Sequence, residues 1–387
     1  MRTVGIVAEY DPFHNGHLHH LTEARRAAEA DYAVVILSGP FRQRGEPALL
    51  SPSDRAACAL RSGADAVFEL PVSCAVREAE AYALSAVSLL SELGCTHLAF
   101  GAETADLPLL TRAAEAMDLP PLAEALRSRL GEGLGYPAAL SAALEALDPE
   151  SGLLLRKPNN ILAVSYLRAI RRLRSPLIPV VIPRGGDYHS GEINPAYPSA
   201  SALRDSLLRG AYAPALEAVP DDTAAILHRR FLDRQIPDPR ILSALTLDAL
   251  RKAGPEGLRC QLPDLSEGLE NRLYEAAARA QTLEDLIREL TTKRYPSARL
   301  RRLCIHALLA FSPEAAPFPP RAVRLLALRE KTGLPRLWQG ISLRILSSGR
   351  TFLEDPDLAA DRAAYRVYAR LTGRPDTWPY TERLVTR

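Results

Sequence analysis

Lysine is nearly missing from this chain. Only Lys157, Lys252, Lys293 and Lys331 occur, and arginine supplies the rest of the 48 basic residues. A mechanism built on a lysine amine therefore has few candidates, and only Lys157 lies in an unusual motif, KPNNIL. Cysteine is scarce too. The five thiols, Cys58, Cys74, Cys95, Cys260 and Cys304, are odd in number, far apart and without a CxxC pair. That excludes a disulfide framework and a zinc knuckle, and it points to reduced thiols in a cytoplasmic protein. No apolar run nears the ~20 residues needed to cross a bilayer, so no membrane association is expected. The opening MRTVGIVAEY lacks a small-residue cleavage site and reads as a strand, not a secretion signal.

The signature of disorder is also lacking. Hydrophobic residues make up 47% of the chain and charged residues 24%, as in globular proteins. The net charge of +2 hides an asymmetry: residues 281–387 hold 19 Lys+Arg against 11 Asp+Glu, and the first 280 hold 29 against 35. A basic C-terminal third suits a polyanion such as nucleic acid, although a solvated helix surface gives the same count.

What is present is alternation. TVGIVAEY, YAVVILS, DAVFELP and THLAFGAE are short apolar runs, and the segments between them have helical spacing. This pattern makes βαβ units, hence a parallel sheet with helices on both faces and right-handed crossovers. Residues 105–156 read as a helical insertion. KPNNILAVSYLRAIRRL follows as a helix with Pro158 in its first turn, then SPLIPVVIP as a fifth strand and RGGDYHSGEINPAYP as a loop. SASALRDSLLRG is a helix capped by Ser199 or Ser201. Beyond about Ala213 only helical spacing is visible. The expected architecture is α/β: a doubly wound five-stranded parallel sheet over residues 1–212, followed by an all-helical domain over 213–387.

One stretch concentrates the chemistry. AEYDPFHNGHLHHL, residues 8–21, holds four of the eight histidines: His14, His17, His19 and His20. They fall where the first strand ends and the first helix begins, where doubly wound sheets bind ligands and free helix N–H groups attract phosphate. His14 and His17 share one face of the opening turn, and Gly16 between them lets a phosphate approach the backbone. A zinc site would need three or four ligands, and its common helical pair is i, i+4 with a glutamate between, whereas this is H-x-x-H with Asn and Gly inside. The pattern points to a triphosphate and not to a metal. His19 and His20 are adjacent and cannot both face it.

HNGH after EYDPF resembles the nucleotidyltransferase superfamily with its HxGH motif. GPFRQRGEPA, GADAVFELP, LAFGAE, KPNNIL, EGLENRL and KRYPSARLRRL, in this order from Val4 to about Phe311, resemble the tRNA(Met) cytidine acetate ligase family. The resemblance implies an ATP-binding domain followed by a helical, tRNA-binding one. It also implies a reaction of ATP and acetate that acetylates the wobble cytidine of elongator tRNA(Met) through an acetyl-adenylate. By this resemblance Val7, Ala8, Glu9, Tyr10, Asp11, Pro12, Phe13, His14, Asn15, Gly16, His17, Leu18, His19 and His20 wrap the nucleotide, with His14 and His17 on the phosphates. Gly101, Asn159 or Asn160, and Arg184 are expected to reach it as well, with Ser199, Ser201 and Arg204 as further phosphate ligands.

Attack by an already ionised acetate needs positioning and charge neutralisation more than covalent help, with Mg²⁺ carried by the nucleotide. Arg294, Arg299, Arg301 and Arg302 are the expected RNA contacts, and Tyr295 beside them is a candidate to stack on a base. Three positions depart from the family pattern: Asp11 and Pro40 stand where it has Asn, and Pro52 where it has Lys. Arg42 and Arg44 are placed to compensate the charge. A nucleotidyltransferase for another small acid or phosphate substrate, or a silent nucleotide- or RNA-binding homologue, would share the HxGH but differ in the chemistry.

Overall fold

The computed structural model describes residues 1–184, 193–262, 265, 268–312 and 316–387. β1 (Thr3–Ala8) leads into α1 (Asn15–Ala27), and β2 (Tyr32–Ser38) into α2 (Pro52–Arg61). β3 (Ala66–Leu70) is followed by α3 (Val72–Ala75) and α4 (Ala79–Glu92), and β4 (His97–Ala102) by α5 (Leu107–Ala116), α6 (Pro120–Gly131), α7 (Tyr136–Leu147) and α8 (Pro149–Leu154). Then come α9 (Pro158–Arg172) and β5 (Ile178–Pro183). These five strands are parallel in the order β5-β4-β1-β2-β3. The order reverses between β4 and β1, which places a ligand crevice at their carboxyl ends.

Period-two alternation explains the two layers. Along β2, Val34 and Ile36 pack with α4 and α9 on one face, while Ala33, Val35 and Leu37 pack with α1 and α2 on the other. All five are fully buried, the mark of a central strand covered on both sides.

The chain continues through α10 (Ala200–Leu208), α11 (Tyr212–Glu217), α12 (Asp221–Leu232), α13 (Pro239–Gln261), α14 (Leu269–Arg279), α15 (Leu283–Leu290) and α16 (Ser297–Leu309). α13 to α16 share a core with Phe41, Val72 and Val76, so the helical part is bonded to the sheet part by apolar contact. The α/β class stands, but the expectation that everything after Ala213 is helical is corrected. β6 (Ala322–Leu328) joins the sheet antiparallel to β3, with Ala66 opposite Leu328 and Glu69 opposite Arg324. After α17 (Leu334–Leu337), β7 (Arg344–Leu346), α18 (Gly349–Glu354), α19 (Ala359–Leu371) and α20 (Trp378–Thr381) comes β8 (Val385–Thr386); β7 and β8 both pair with β6.

AVRLLAL conceals this strand because its Leu and Ala read as helix and Arg324 as surface. The fold instead buries Arg324, its guanidinium 4.7 Å from the Phe352 ring centre and 5.0 Å from that of Tyr365. Its Nη2 donates to the Pro379 carbonyl at 2.9 Å. Of the expected loop 184–198, residues 185–192 lie outside the described residues.

Candidate nucleotide site

His14 caps α1 from an extended backbone. Its Nδ1 accepts the His17 N–H and the His17 Nδ1 accepts the His14 N–H, each at 3.3 Å. The two rings stack with centroids 3.6 Å apart and planes 18° from parallel. Since both Nδ1 atoms accept, both rings carry their proton on Nε2. The Nε2 atoms of His14 and His20 are buried and lack a hydrogen-bond partner. Leaving such a donor unpaired costs roughly 1–3 kcal/mol, which a ligand oxygen would recover. A Cβ on Gly16 would lie 3.0 Å from the His14 ring, which is why glycine stands there.

The electrostatics follow from burial. It lowers His14 to about 3, with Arg184 and Arg204 adding to the effect. It lowers His20 to about 4, helped by Arg184 and His19. His17 is held well below the usual range by burial, His14 and Arg184. The rings are therefore neutral donors at pH 7, and the cations of the site are the arginines.

The opposite wall comes from β4, α9 and the end of β5. A side chain at Gly101 would meet Arg184 Cγ at 3.5 Å and His20 Cδ2 at 3.7 Å. Arg184 Nη1 donates to Asn159 Oδ1 at 2.9 Å. Asn160 is fully buried and turned away: its Oδ1 accepts the Thr104 N–H at 3.0 Å and its Nδ2 donates to Thr104 Oγ1 at 3.1 Å. Asn159 thus faces Arg184, and Asn160 holds the fold. Ser199 is the cap of α10, its Oγ accepting the Ala202 N–H at 3.1 Å, while Ser201 lies in the first turn. Arg204 Nη1 donates to the Asp11 carbonyl at 2.7 Å. Asn15 Nδ2 donates to the Pro195 carbonyl at 3.0 Å, and His19 meets Tyr197 edge-on at 5.7 Å. These contacts bring the N-terminus of α10 to the loop between β1 and α1.

Within that loop the residues divide. Val7 and Ala8 end β1. Tyr10 and Phe13 are buried and pack edge-on at 4.7 Å, and Tyr10 lies 4.9 Å from the His17 ring. Leu18 packs against the same core. These side chains support the histidines from below. Tyr10 adopts φ +47°, a left-handed conformation unusual for an aromatic residue, and Asp11–Pro12 is a cis peptide. Glu9 Oε1 accepts the Gln43 N–H at 2.8 Å, and Asp11 Oδ1 accepts the Leu49 N–H at 2.7 Å.

Two residues that motif reading passed over organise this region. Arg55 is fully buried and donates to the carbonyls of Glu9, Ser38, Gly39 and Leu50, tying the ends of β1 and β2 to the loop before α2. An arginine directly before the apolar AACAL run of α2 was the available signal. Glu103 is the second. It accepts from the Asn159 N–H at 3.2 Å, the Asn159 Nδ2 at 2.6 Å and the Asn160 N–H at 2.9 Å. Pro52 occupies the first turn of α2 behind the cap Ser51, a position where proline is favoured. Pro40 closes a hairpin through its carbonyl, which accepts the Ala48 N–H at 2.9 Å.

The basic run is less open than its composition suggests. Arg294 is exposed. Arg301 is bound to Glu284 at 2.8 and 2.6 Å, with Glu46 at 3.6 Å. Gly45 packs on the backbone of Arg301 and Arg302, leaving no room for a Cβ. Arg299 and Arg272 lie over the Tyr295 ring at 5.5 and 5.4 Å. Tyr295 is only 4% exposed, so the idea that it stacks on a base is corrected: arginines and the helical core already cover it.

An α/β crevice with neutral imidazole donors at a helix N-terminus and arginines opposite defines a phosphate-binding protein of the nucleotidyltransferase type. A sequence model of the family described as HIGH Nucleotidyl Transferase matches residues 1–376. The tRNA(Met) cytidine acetate ligase of Syntrophomonas wolfei is 40% identical over 322 residues, 81% of this chain and 77% of that one. The enzyme of the same name from Caldanaerobacter subterraneus is 35% identical over 340 residues, 86% of this chain and 84% of that one. The crystal structure of apo Thermotoga maritima TmcAL superposes with a TM-score of 0.91 at 28% identity, covering 100% of this chain and 99% of that one. The same protein bound with alpha-thio ATP superposes with a TM-score of 0.89 at 26% identity. The chain belongs to the HIGH nucleotidyl transferases and, within them, to the tRNA(Met) cytidine acetate ligase family.

Proposed function

We propose that this protein uses ATP to activate acetate and transfers the acetyl group to the wobble cytidine of elongator tRNA(Met). The observation that carries the reading is the pair of buried, unpartnered Nε2 atoms of His14 and His20 in the opening turns of α1, with His20 beside Gly101 and Arg184. An acetate oxygen attacks the α-phosphorus of ATP, the bond to the leaving oxygen breaks, and pyrophosphate departs. The exocyclic amine of cytosine then attacks the acetyl carbon, AMP leaves with the bonding pair, and the amine gives up a proton.

In this reading His14 donates its unpaired Nε2–H to a phosphoryl oxygen, His17 lies stacked on it at the same phosphates, and the α1 N-terminus adds its amides. Arg184 and Arg204 neutralise charge that the uncharged rings cannot. Mg²⁺, brought in with the nucleotide, would supply further neutralisation of phosphate charge beside Arg184 and Arg204. Residues 1–212 bind the nucleotide, and the helices after 213 present the basic surface to tRNA. No helix of the described residues is long and apolar enough to cross a membrane. ATP and tRNA as substrates support a cytoplasmic protein. The experiment is to supply labelled acetate, ATP and tRNA. Label on cytidine only when ATP is present supports the reading. Label on another acceptor, or none, overturns it in favour of a different acid or a silent protein.

A further inference from the structure

Glu103 stands one residue beyond β4. Its carboxylate reaches the first turn of α9. Oε1 accepts from both the backbone and the side-chain nitrogen of Asn159, and Oε2 accepts the Asn160 N–H. A carboxylate there suits the free amides and the positive end of the helix. It does a second thing. An amide side chain has one donor end and one acceptor end, so fixing Asn159 Nδ2 on Glu103 points Oδ1 the other way. Arg184 Nη1 meets that oxygen at 2.9 Å. Asn160 cannot take this part, being bound through its own side chain to Thr104.

We propose that Glu103 is a positioning residue for the nucleotide. It sets the orientation of the Asn159 amide, which holds the Arg184 guanidinium beside Gly101 and His20. The chain of bonds runs Glu103 to Asn159 to Arg184 and ends at the crevice. Without the carboxylate, the Asn159 amide can turn its NH₂ toward Arg184, and donor then faces donor. The guanidinium leaves the place where it lowers the histidines and meets the phosphates. This inference rests on the reading of Arg184 as a nucleotide ligand.

The test is ATP affinity by titration calorimetry, with KM and kcat for pyrophosphate release, on the wild type, Glu103→Ala, Glu103→Gln, Arg184→Ala and the Glu103→Ala/Arg184→Ala pair. Thermal unfolding of each serves as the fold check. Glu103→Ala is expected to weaken ATP binding about tenfold and raise KM alike, with kcat at saturating ATP changed little. Glu103→Gln, which keeps one acceptor, is expected to fall between and guards against a misfolded alanine variant. In the double variant the Glu103 effect should vanish, because its target is gone. A Glu103 variant that melts earlier yet binds ATP normally would make the residue a helix cap only and overturn the proposal. So would full multiplication of the two effects in the double variant. If Arg184→Ala alone leaves ATP binding unchanged, the nucleotide reading of Arg184 fails first, and that result is separate from the Glu103 arms.

Discussion

Arg42 and Asp11 form a buried ion pair, Nε to Oδ2 at 3.1 Å, with side chains 9% and 1% exposed. Asp11 stands where the family pattern has Asn. Its Oδ1 still accepts the Leu49 N–H, a bond either residue can make. The extra charge is met by Arg42, which also holds Glu46 at 2.6 Å. The departure at Asp11 is thus compensated within the loop and leaves the histidines in place. Arg42→Met would leave the buried Asp11 carboxylate with only the longer contact to Arg204 at 3.9 Å, and we expect it to lower stability by up to about 3 kcal/mol in urea unfolding. Adding Asp11→Asn should restore most of that loss. If the double variant is no more stable than Arg42→Met alone, the pair is not the link described.

The acid side of the pH profile should carry the mark of His14. Its folded pKa of about 3 lies below the ordinary 6.5, so the unfolded chain binds the proton first as pH falls. Stability from this group is therefore complete above pH 6.5 and is lost on the way down toward 3, at up to about 1.4 kcal/mol per pH unit. Glu69 and Asp361 act in the opposite sense. Burial raises them to about 7 and about 8, so their contribution falls as pH rises from the usual carboxylate range. The wild-type curve mixes these terms. The difference between wild type and His14→Asn, followed by melting temperature from pH 7.5 to 5, isolates the histidine. Wild type should lose more on acidification, and parallel curves would contradict the assignment.

Removing His17 should cost rate beyond the loss of its cap bond to the His14 N–H. For His17→Ala we expect pyrophosphate release to drop about a hundredfold, near 3 kcal/mol of transition-state stabilisation. A change confined to KM would mean that His17 binds ground state and transition state alike.

The basic run should divide in RNA binding. Arg294 is exposed, and Arg301 is half-buried and bound to Glu284 and Glu46. Arg294→Ala is expected to reduce the slope of log K against log salt by about one unit for tRNA. Arg301→Ala should act more on thermal stability than on that slope. Equal slopes for Arg294→Ala and wild type would remove Arg294 from the RNA surface.

The parallel half of the sheet was legible because its strands are mostly apolar runs, with Glu69 in β3 as the charged exception, and its helices carry written caps. Ser51, Pro158 and Ser199 mark starts that the structure keeps. The histidine motif was legible because its place between β1 and α1 gives it meaning. β6 was not, since a strand that buries an arginine between aromatic rings breaks the pattern that identifies strands. Nor could spacing tell Asn159 from Asn160. Adjacent residues point apart on a helix, and only the position of Glu103 and Thr104 decides which one faces Arg184. Tyr295 illustrates the same limit: an aromatic in a basic run is equally a core residue under arginines.

The most direct test of the account is pyrophosphate release from ATP with and without acetate, on wild type and His17→Ala. The account expects release that depends on acetate and is lost in the variant. Release indifferent to acetate, or undiminished in His17→Ala, would contradict it.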